Sequence, residues 1–273
     1  MSISELSKAW ADHSRRFADF RFVYPVISRR AKGLSIGINC MPNGACSYDC
    51  IYCQVDKKDI STKIPIVDEI IFELKEILSI YHKTKLSEHF QNIEEKNRIL
   101  KDIAMSGDGE PTLYPYFAEL CEQLKNISEI PKLVLITNAM QLDKIQDFNG
   151  EIWGKLDAGT DEWLNFINRP QKKINMELIE NNLKFAVSKF PLRIQTMLCE
   201  AKGEIPSEAE IESYAGIVQR IYQTNPQNLL SVQIYSIVRP VAENTVQPLP
   251  REFLESVKKK VEEKNSNLTV EIF

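Results

Sequence analysis

Three cysteines are crowded into one short, turn-rich stretch of the sequence. Cys46, Cys50 and Cys53 are separated by three and then two residues. Thiolates favour zinc, copper(I) or iron–sulfur clusters over hard cations. Structural zinc usually takes four ligands, often as two pairs, and no second pair follows in this sequence. Three thiolates can hold three irons of a [4Fe–4S] cluster and leave the fourth iron open for chemistry.

The remaining cysteines are expected to have other roles. Cys40 is the nearest alternative ligand, but it lies outside this spacing, and we expect a thiol at the end of a strand. Cys121 and Cys199 are predicted to be small core residues, because free cysteine behaves as a buried hydrophobe. With only these two cysteines after Cys53, no auxiliary cluster is predicted. A structural zinc site and a redox thiol cluster remain alternatives.

A glycine-rich stretch follows the second predicted strand. Its glycines let the backbone approach a ligand closely, and its glutamate can accept hydrogen bonds from an ammonium group. From the residues alone, such a stretch is a turn as often as a binding site. It consists of Gly107, Asp108, Gly109, Glu110 and Pro111.

Polar residues also end the later strands. Thr137 and Asn138 could bind a ribose or carboxylate, or could cap a helix. Lys155 and Asp157 share one face by strand alternation, either as an ion pair or as a ribose or substrate contact. Arg239 could clamp an anionic substrate.

The candidates for catalysis are Lys155, Asp157 and Arg239. No residue is assigned as a general acid, although Cys199, Tyr235 and Lys155 are conceivable. Weaker candidates facing the same cavity are Gln195, Met197, Gln233 and Tyr235.

The cysteine spacing, with Tyr52 just before the last cysteine, resembles the signature of the radical S-adenosylmethionine (SAM) superfamily. In that family the open iron binds the amino and carboxylate groups of SAM, and reductive cleavage of SAM gives a 5′-deoxyadenosyl radical that removes hydrogen from a substrate. The stretch 107–111 resembles the Gly-Gly-Glu-type motif that binds the SAM amino group. The resemblance implies a [4Fe–4S] cluster and SAM as cofactors. The candidate SAM contacts are Tyr52, residues 107–111, Thr137, Asn138, Asp157 and Gln195.

A more detailed resemblance is to the branch grouped with tRNA wyosine synthases. Those enzymes modify a guanosine in tRNA and are thought to use a second cluster bound by upstream cysteines, whereas this chain has no cysteine before Cys40. A tRNA-modifying enzyme is therefore the alternative function, and a non-catalytic metal-binding interaction module is an alternative of another class. The basic residues available for tRNA are Arg15, Arg16, Arg29, Arg30, Lys32, Lys57 and Lys58. The resemblance is carried by residues 28–30, 46–54, 106–113, 136–138, 156–159, 167–170 and 238–240.

Alternating strands and helices predict an α/β fold with a parallel sheet. Six βα units and an extra strand fit a partial (β/α)6 TIM-like barrel, the core that radical SAM enzymes share. We expect one domain over residues 1–273, with an N-terminal helical extension (1–30), a core barrel (31–240) and a C-terminal helix and strand (241–273). Predicted strands are 34–38, 101–106, 132–136, 152–158, 192–198, 229–238 and 268–273. Predicted helices are 3–18, 66–100, 116–127, 142–148, 161–167, 175–189, 207–223 and 251–263. Within 66–100, a break or a second short helix is expected at 83–96, and Ser207 and Glu210 have capping-box spacing.

Composition is ordinary for a globular protein, with 43% hydrophobic and 26% charged residues. The net charge of −4 argues weakly against a surface that coats nucleic acid. No apolar run resembles a secretory signal or a membrane span, and crowded cysteines suit a reducing compartment, so a cytoplasmic location is expected. The expected partners are an unidentified substrate and an electron donor such as a flavodoxin or ferredoxin.

Overall fold

The structure is a computed structural model that describes residues 8–10, 15, 17–55, 63–239, 241 and 243–273. The chain forms two compact units, Met1–Ala45 with Lys57–Leu135, and Cys46–Asp56 with Ile136–Phe273. The predicted single domain and its subdivisions stay predictions. Among the described residues, no helix is both long and apolar enough to cross a membrane.

The first unit contains a sheet with one antiparallel edge. Strand β1 pairs antiparallel with β2, and β2 and β3 are parallel neighbours. The start of β4 continues the parallel ladder beside β3. The strands are β1 (Val23–Ser28), β2 (Gly33–Ile38), β3 (Leu100–Met105) and β4 (Leu133–Thr137), and the helices are α1 (Val67–Thr84) and α2 (Phe117–Lys125).

The second unit carries four parallel strands in the order β5-β6-β8-β10, with a separate antiparallel pair formed by β7 and β9. The strands are β5 (Glu151–Lys155), β6 (Leu192–Met197), β7 (Cys199–Ala201), β8 (Leu229–Tyr235), β9 (Val246–Pro248) and β10 (Val270–Ile272). The helices are α3 (Asp161–Ile167), α4 (Met176–Lys189), α5 (Glu208–Thr224) and α6 (Arg251–Lys264).

The two faces of the second unit's strands differ in chemistry. One face packs against helices, and a Cβ added at Gly154 would lie 2.7 Å from Leu183 of α4. Ile194 and Val232 are fully buried on this side. The opposite face carries polar side chains that the parallel register places in one row: Lys155, Gln195, Gln233 and Glu271 are successive Cα partners. This polar face is unlike an ordinary apolar core and provides hydrogen-bonding groups.

The helix boundaries show how local sequence positions α5. Ser207 accepts a hydrogen bond from the backbone N–H of Glu210 (3.2 Å), which confirms the predicted N-cap. The predicted capping box is wrong, because the Glu210 carboxylate accepts hydrogen bonds from Gly159 N and Thr160 Oγ1 instead. The Glu210 side chain therefore ties the start of α5 to the residues that immediately precede α3.

Several other elements differ from the sequence predictions. The first strand is β1, not the predicted run at 34–38, which is β2. Strands β7 and β9 were not predicted. The helix expected at 142–148 is only a 3-10 turn (Leu142–Lys144). The helical region after residue 66 ends at Thr84, and a 3-10 turn follows at Glu95–Arg98. Of the predicted helix at 3–18, residues 8–10 are helical, and most of the rest lies outside the described residues.

The basic run at residues 29–32 lies in the turn between β1 and β2. The segment leading to the cysteines leaves β2 at its other end, after Ile38. A six-residue strand is about 20 Å long, so this turn and that segment lie at opposite ends of β2. Of the other basic residues proposed for tRNA, Arg16, Lys57 and Lys58 lie outside the described residues.

Candidate active site

The cysteine stretch forms a loop that is held by a second segment of the same unit. Backbone N–H groups of Asp49 and Ile51 donate to the carbonyls of Asn168 (3.2 Å) and Ile167 (2.8 Å), and Gln171 N donates to the Ser47 carbonyl (2.9 Å). Residues 167–171 thus run alongside residues 47–51 like a short strand. The local shape of the loop is therefore supported by protein contacts alone.

The three cysteines of the loop are half-buried, and none of them is in a disulfide. Amide groups approach two of the sulfurs: Asn138 Nδ2 lies 3.5 Å from Cys46 Sγ, and Asn168 Nδ2 lies 3.5 Å from Cys50 Sγ. N–H donors of this kind stabilise a thiolate that ligates iron. The donor set therefore fits an iron–sulfur cluster.

The described residues contain no group of three or more His, Cys, Asp or Glu side chains already arranged to hold a metal ion. The assignment of Cys46, Cys50 and Cys53 as ligands consequently stays a prediction. Burial and the nearby charge of Asp157 raise the pKa of the Cys50 thiol to about 12. A thiolate at this position therefore needs a cation beside it.

Asp157, just after β5, is the centre of a buried network in the second unit. Its Oδ1 accepts a hydrogen bond from Met197 N (2.8 Å), and its Oδ2 accepts from the Tyr52 hydroxyl and from Asn168 Nδ2 (2.9 Å). Burial, and then the charge of Asp157, raise the pKa of Tyr52 well above its usual value. Tyr52, next to Cys53 in sequence, is therefore fixed as a neutral hydrogen-bond donor.

Lys155 provides the positive charge of this network. Its Nζ lies 3.2 Å from Asp157 Oδ1 and 2.9 Å from the Tyr235 hydroxyl. It also lies 5.2 Å and 5.3 Å from the ring centroids of Tyr52 and Tyr235. Burial lowers the pKa of Lys155, but Asp157 and Tyr235 more than offset that effect, so the net pKa is raised. The ion pair with Asp157, one of the two interpretations of the sequence, is present.

Gln195 and Gln233 lie beside Lys155 in the polar row. Gln195 Nε2 donates to Gln233 Oε1 at 3.0 Å, and both side chains are almost fully buried. The Gln195 Oε1 is buried without a hydrogen-bond partner. Such an atom is costly unless a ligand or water satisfies it, so this row is suited to binding a polar molecule.

The glycine-rich stretch lies in the first unit, where it folds against Asn39. Asp108 N donates to Asn39 Oδ1 (3.1 Å), and Asn39 Nδ2 donates to Asp108 Oδ2 (2.5 Å). Asp108 is also ion-paired with Arg15. A Cβ at Gly107 would lie 2.1 Å from Asn39 Oδ1, so the glycine permits this close approach.

Glu110 and Gly109 connect the same stretch to the residue that precedes Cys46. Glu110 N donates to the Ala45 carbonyl (2.8 Å), and a Cβ at Gly109 would lie 2.4 Å from that oxygen. The Glu110 carboxylate is buried and accepts from Thr112 N (3.1 Å) and Thr112 Oγ1 (2.7 Å), while Pro111 begins a 3-10 turn. These contacts hold Glu110 next to the residue that precedes Cys46.

Thr137 and Asn138 support a turn rather than a helix cap. The Thr137 hydroxyl accepts from Ala139 N (3.2 Å), and Asn138 Oδ1 accepts from Met140 N (3.1 Å). Ala139 has a φ of +66°, which this turn requires. Asn138 Nδ2 also donates to Ser47 Oγ at 2.8 Å, so Asn138 links this turn to the cysteine loop.

The other residues that the sequence analysis considered include three cysteines outside the loop and Arg239. Cys40, Cys121 and Cys199 are buried thiols, as predicted, and burial raises the pKa of Cys199 to about 12. Arg239 follows β8 and is half-buried.

Sequence reasoning did not single out Asn168, which contacts both Cys50 and Asp157. Its only signal was membership of the segment 167–170 that carried the family resemblance.

Comparison with known proteins identifies the family. The family model described as the radical SAM superfamily matches residues 41–198, more than half of the chain. The chain therefore belongs to the radical SAM superfamily and is a radical SAM enzyme. SAM and an iron–sulfur cluster are general properties of that family.

Two curated relatives cover most of this chain. One is a protein named GTPase Obg of Brachyspira hyodysenteriae, 31% identical over 261 residues, which cover 91% of this chain and 34% of that protein. Another is the UPF0026 protein MJ1312 of Methanocaldococcus jannaschii, 28% identical over 237 residues, 82% of this chain and 65% of that protein. The chain thus spans less than two thirds of both relatives.

A solved structure of TYW1 with a lysine–pyruvate adduct bound has a TM-score of 0.62 at 19% identity, covering 94% of this chain and 80% of that chain. This likeness concerns the fold. It confirms the predicted mixed α/β fold, with a mostly parallel sheet consistent with a partial TIM-like barrel. A crystal structure of archaeal TYW1 is a further fold neighbour, with a TM-score of 0.52 at 20% identity, covering 86% of this chain and 73% of that chain. The resemblance to the radical SAM superfamily inferred from the sequence is confirmed by the family model.

Proposed function

We propose that Cys46, Cys50 and Cys53 hold three irons of a [4Fe–4S] cluster and that the enzyme cleaves SAM reductively. A cluster bound by these cysteines would supply the electron that splits SAM, and the resulting 5′-deoxyadenosyl radical would remove hydrogen from a substrate. The observation that carries the proposal is the cysteine loop itself. Its half-buried thiols are free of disulfides, its backbone is braced by residues 167–171, and amide N–H groups face two sulfurs.

In the second unit, we assign SAM contacts to residues that the protein already orients. Asp157 and Tyr52 are fixed beside Cys50, and Asn138 is fixed beside Cys46. Asp157 holds the Tyr52 hydroxyl, which limits rotation of a residue adjacent to Cys53. Thr137 acts through the turn that it stabilises, and Gln195 offers its unpaired carbonyl oxygen. These groups can hydrogen-bond the ribose and carboxylate of SAM.

In the first unit, the proposed contact is the carboxylate of Glu110 with the SAM amino group. Glu110 is buried and held at the start of a 3-10 turn, so little side-chain freedom remains to be lost when an ammonium group binds. Gly107 and Gly109 keep the backbone free of Cβ atoms that would collide with Asn39 and Ala45. Asp108 holds the stretch through Asn39.

Two basic side chains are proposed for the substrate, and a small protein is proposed as the reductant. Lys155 is a buried cation beside the polar row, and Arg239 follows the end of β8, so both are proposed to face the substrate. The electron donor is proposed to be a small redox protein such as a flavodoxin or ferredoxin. Hydrogen abstraction itself needs no further ionisable group, because the radical supplies the reactivity.

The test is anaerobic reconstitution with iron and sulfide, followed by reduction with SAM and measurement of 5′-deoxyadenosine. We expect product from the unaltered chain and none from Cys50→Ala, whereas Cys40→Ala, a buried cysteine outside the loop, should keep both cluster and product. Glu110→Gln should retain iron but bind SAM more weakly. Zinc binding with no cluster under any condition would overturn the proposal. Unchanged SAM binding in Glu110→Gln would overturn the contact assigned to Glu110, and a cluster that neither binds nor cleaves SAM would favour a non-catalytic metal module.

A further inference from the structure

Asn168 is placed where the end of α3 meets the cysteine loop. Its backbone N–H donates to Leu164 O (2.9 Å) and closes the helix, and its carbonyl accepts from Asp49 N in the loop. Arg169, which follows, has a φ of +46° and precedes Pro170. A proline disfavours the helical region for the residue before it, so the chain must leave the helix here and pass along the loop.

The side chain of Asn168 is 1% exposed and faces three acceptors at once. Its Nδ2 lies 3.5 Å from Cys50 Sγ, 2.8 Å from the Tyr52 hydroxyl oxygen and 2.9 Å from Asp157 Oδ2. The hydrogen of the Tyr52 hydroxyl points to Asp157, so that oxygen is available to accept. Because these three atoms all act as acceptors, only one orientation of the amide is favourable, namely Nδ2 toward the sulfur and the carboxylate.

The same arrangement leaves the Asn168 Oδ1 buried without a hydrogen-bond partner. A residue that only closed α3 could do so through its backbone, and its buried side chain would then be better apolar. The buried amide is therefore not explained by the helix. What it uniquely provides is N–H hydrogens shared between Cys50, Tyr52 and Asp157.

We propose that Asn168 is a positioning residue that donates an N–H to the Cys50 sulfur and thereby sets the reduction potential of the cluster. This inference rests on the proposed function, because it needs the cluster at the cysteine loop. A reduced cluster carries one more negative charge than the oxidised form, so an N–H donor to a ligating sulfur stabilises the reduced form more. Removing the donor should make the cluster harder to reduce.

The test uses two replacements of Asn168 and one matched control. Asn168→Leu keeps a similar volume and removes both hydrogens, whereas Asn168→Ser keeps a smaller donor. Asn165→Ser is the control, because Asn165 lies one turn earlier in α3, is exposed and bonds only Asp161 O (2.7 Å). Each reconstituted protein is analysed for iron content, and its cluster is titrated anaerobically with redox mediators while the electron paramagnetic resonance signal is recorded.

At a fixed potential, we expect the ratio of reduced to oxidised cluster to fall about tenfold in Asn168→Leu, a shift of about 59 mV for a one-electron couple. Asn168→Ser should lie between, and Asn165→Ser should match the unaltered chain. Equal potentials in all four proteins would overturn the role of Asn168 while leaving the proposed function intact. If Asn168→Leu takes up no iron, Asn168→Ser alone decides, and an unchanged potential there overturns the inference.

Absence of a cluster in the unaltered chain is a different result. It would overturn the proposed function itself, and the role of Asn168 would fall with it. A purely structural role for Asn168 predicts a lower melting temperature in both variants without any shift in potential. The potential therefore separates electronic positioning from simple stabilisation.

Discussion

Replacing Asp157 with asparagine should expose how strongly the buried network depends on one charge. Asp157 accepts hydrogen bonds from Tyr52, Asn168 and Met197 and is ion-paired with Lys155. The Asp157→Asn substitution would keep the shape of the side chain but remove its charge. The cation of Lys155 would then remain among protein groups without its counterion.

The size of the effect follows from burial. The side chains of Lys155 and Asp157 are 16% and 1% exposed, so water screens the pair only slightly. Removing one member of a buried pair costs about 3–5 kcal/mol. Because Lys155 keeps the Tyr235 hydroxyl and some water, we expect Asp157→Asn to lower the free energy of unfolding by about 3 kcal/mol, near the low end. With Lys155→Met added, the loss should be smaller than the sum, with a coupling energy of about 2 kcal/mol.

The assay is urea unfolding of the four cluster-free proteins at pH 7, followed by far-ultraviolet circular dichroism. The control cycle uses the half-buried i,i+4 pair of Lys258 and Glu262 on the surface of α6, 3.6 Å apart, for which about 0.3–0.5 kcal/mol is expected. The pKa of Lys155 is raised on folding, so its stabilising effect is complete below the usual lysine pKa of about 10.4 and is lost only as pH rises through the raised value. The coupling energy should therefore be the same at pH 6 and pH 9.

The reasoning would be refuted by additive effects. If the losses for Asp157→Asn and Lys155→Met sum to that of the double variant within about 0.5 kcal/mol, the two charges do not depend on each other. A coupling energy no larger than that of the surface pair would have the same meaning. In either case, Asp157 would act only as a hydrogen-bond acceptor.

Two further predictions follow from other contacts. Gly109→Ala should lower the free energy of unfolding by about 1–3 kcal/mol and reduce iron uptake, because the added Cβ would press on the Ala45 carbonyl next to Cys46. The control is Gly216→Ala in α5, where the added Cβ meets only the Arg220 guanidinium; it should be neutral or raise the free energy of unfolding by about 0.5–1 kcal/mol. Both variants are measured by urea unfolding and iron analysis. Burial raises the pKa of Glu210 despite its hydrogen bonds to Thr160 and Gly159, so the folded chain binds the Glu210 proton more tightly than the unfolded chain and loses stability as pH rises above the usual carboxyl range. Glu210→Gln should therefore reduce the change in unfolding free energy between pH 4 and pH 7. An unaltered pH dependence of the unfolding free energy would contradict this prediction.

Local patterns were sufficient to predict most of the elements. The helix at 161–167 was predicted at its observed bounds, and the ends of α4 and α6 were predicted within one residue, since their amphipathic spacing and caps are local. Strand β1 was not assigned, because six residues interrupted by Pro25 carry a weak signal. Proline is tolerated there because β1 pairs with only one strand in its unit.

The site was predictable only in its parts. Spacing indicated the cysteines, and alternation placed Lys155 and Asp157 on one face, where they do form an ion pair. The contacts of Asn168 could not be predicted, because Cys50 and Tyr52 lie 118 and 116 residues away in sequence. Likewise, Glu210 had the spacing of a capping box, and only the tertiary structure shows that Gly159 and Thr160 bind its carboxylate instead.

The brace on the cysteine loop also bears on the order of events during synthesis. The loop leaves the ribosome long before residues 167–171, which supply its backbone partners. At about 5–20 residues per second, the 118 residues between Cys50 and Asn168 take about 6–24 s to make. During that interval the three thiols are part of an unbraced chain that could bind the wrong metal or be oxidised. For the proposed cluster, the brace therefore favours delivery of iron and sulfide after residue 171 has emerged, to a loop that has already folded.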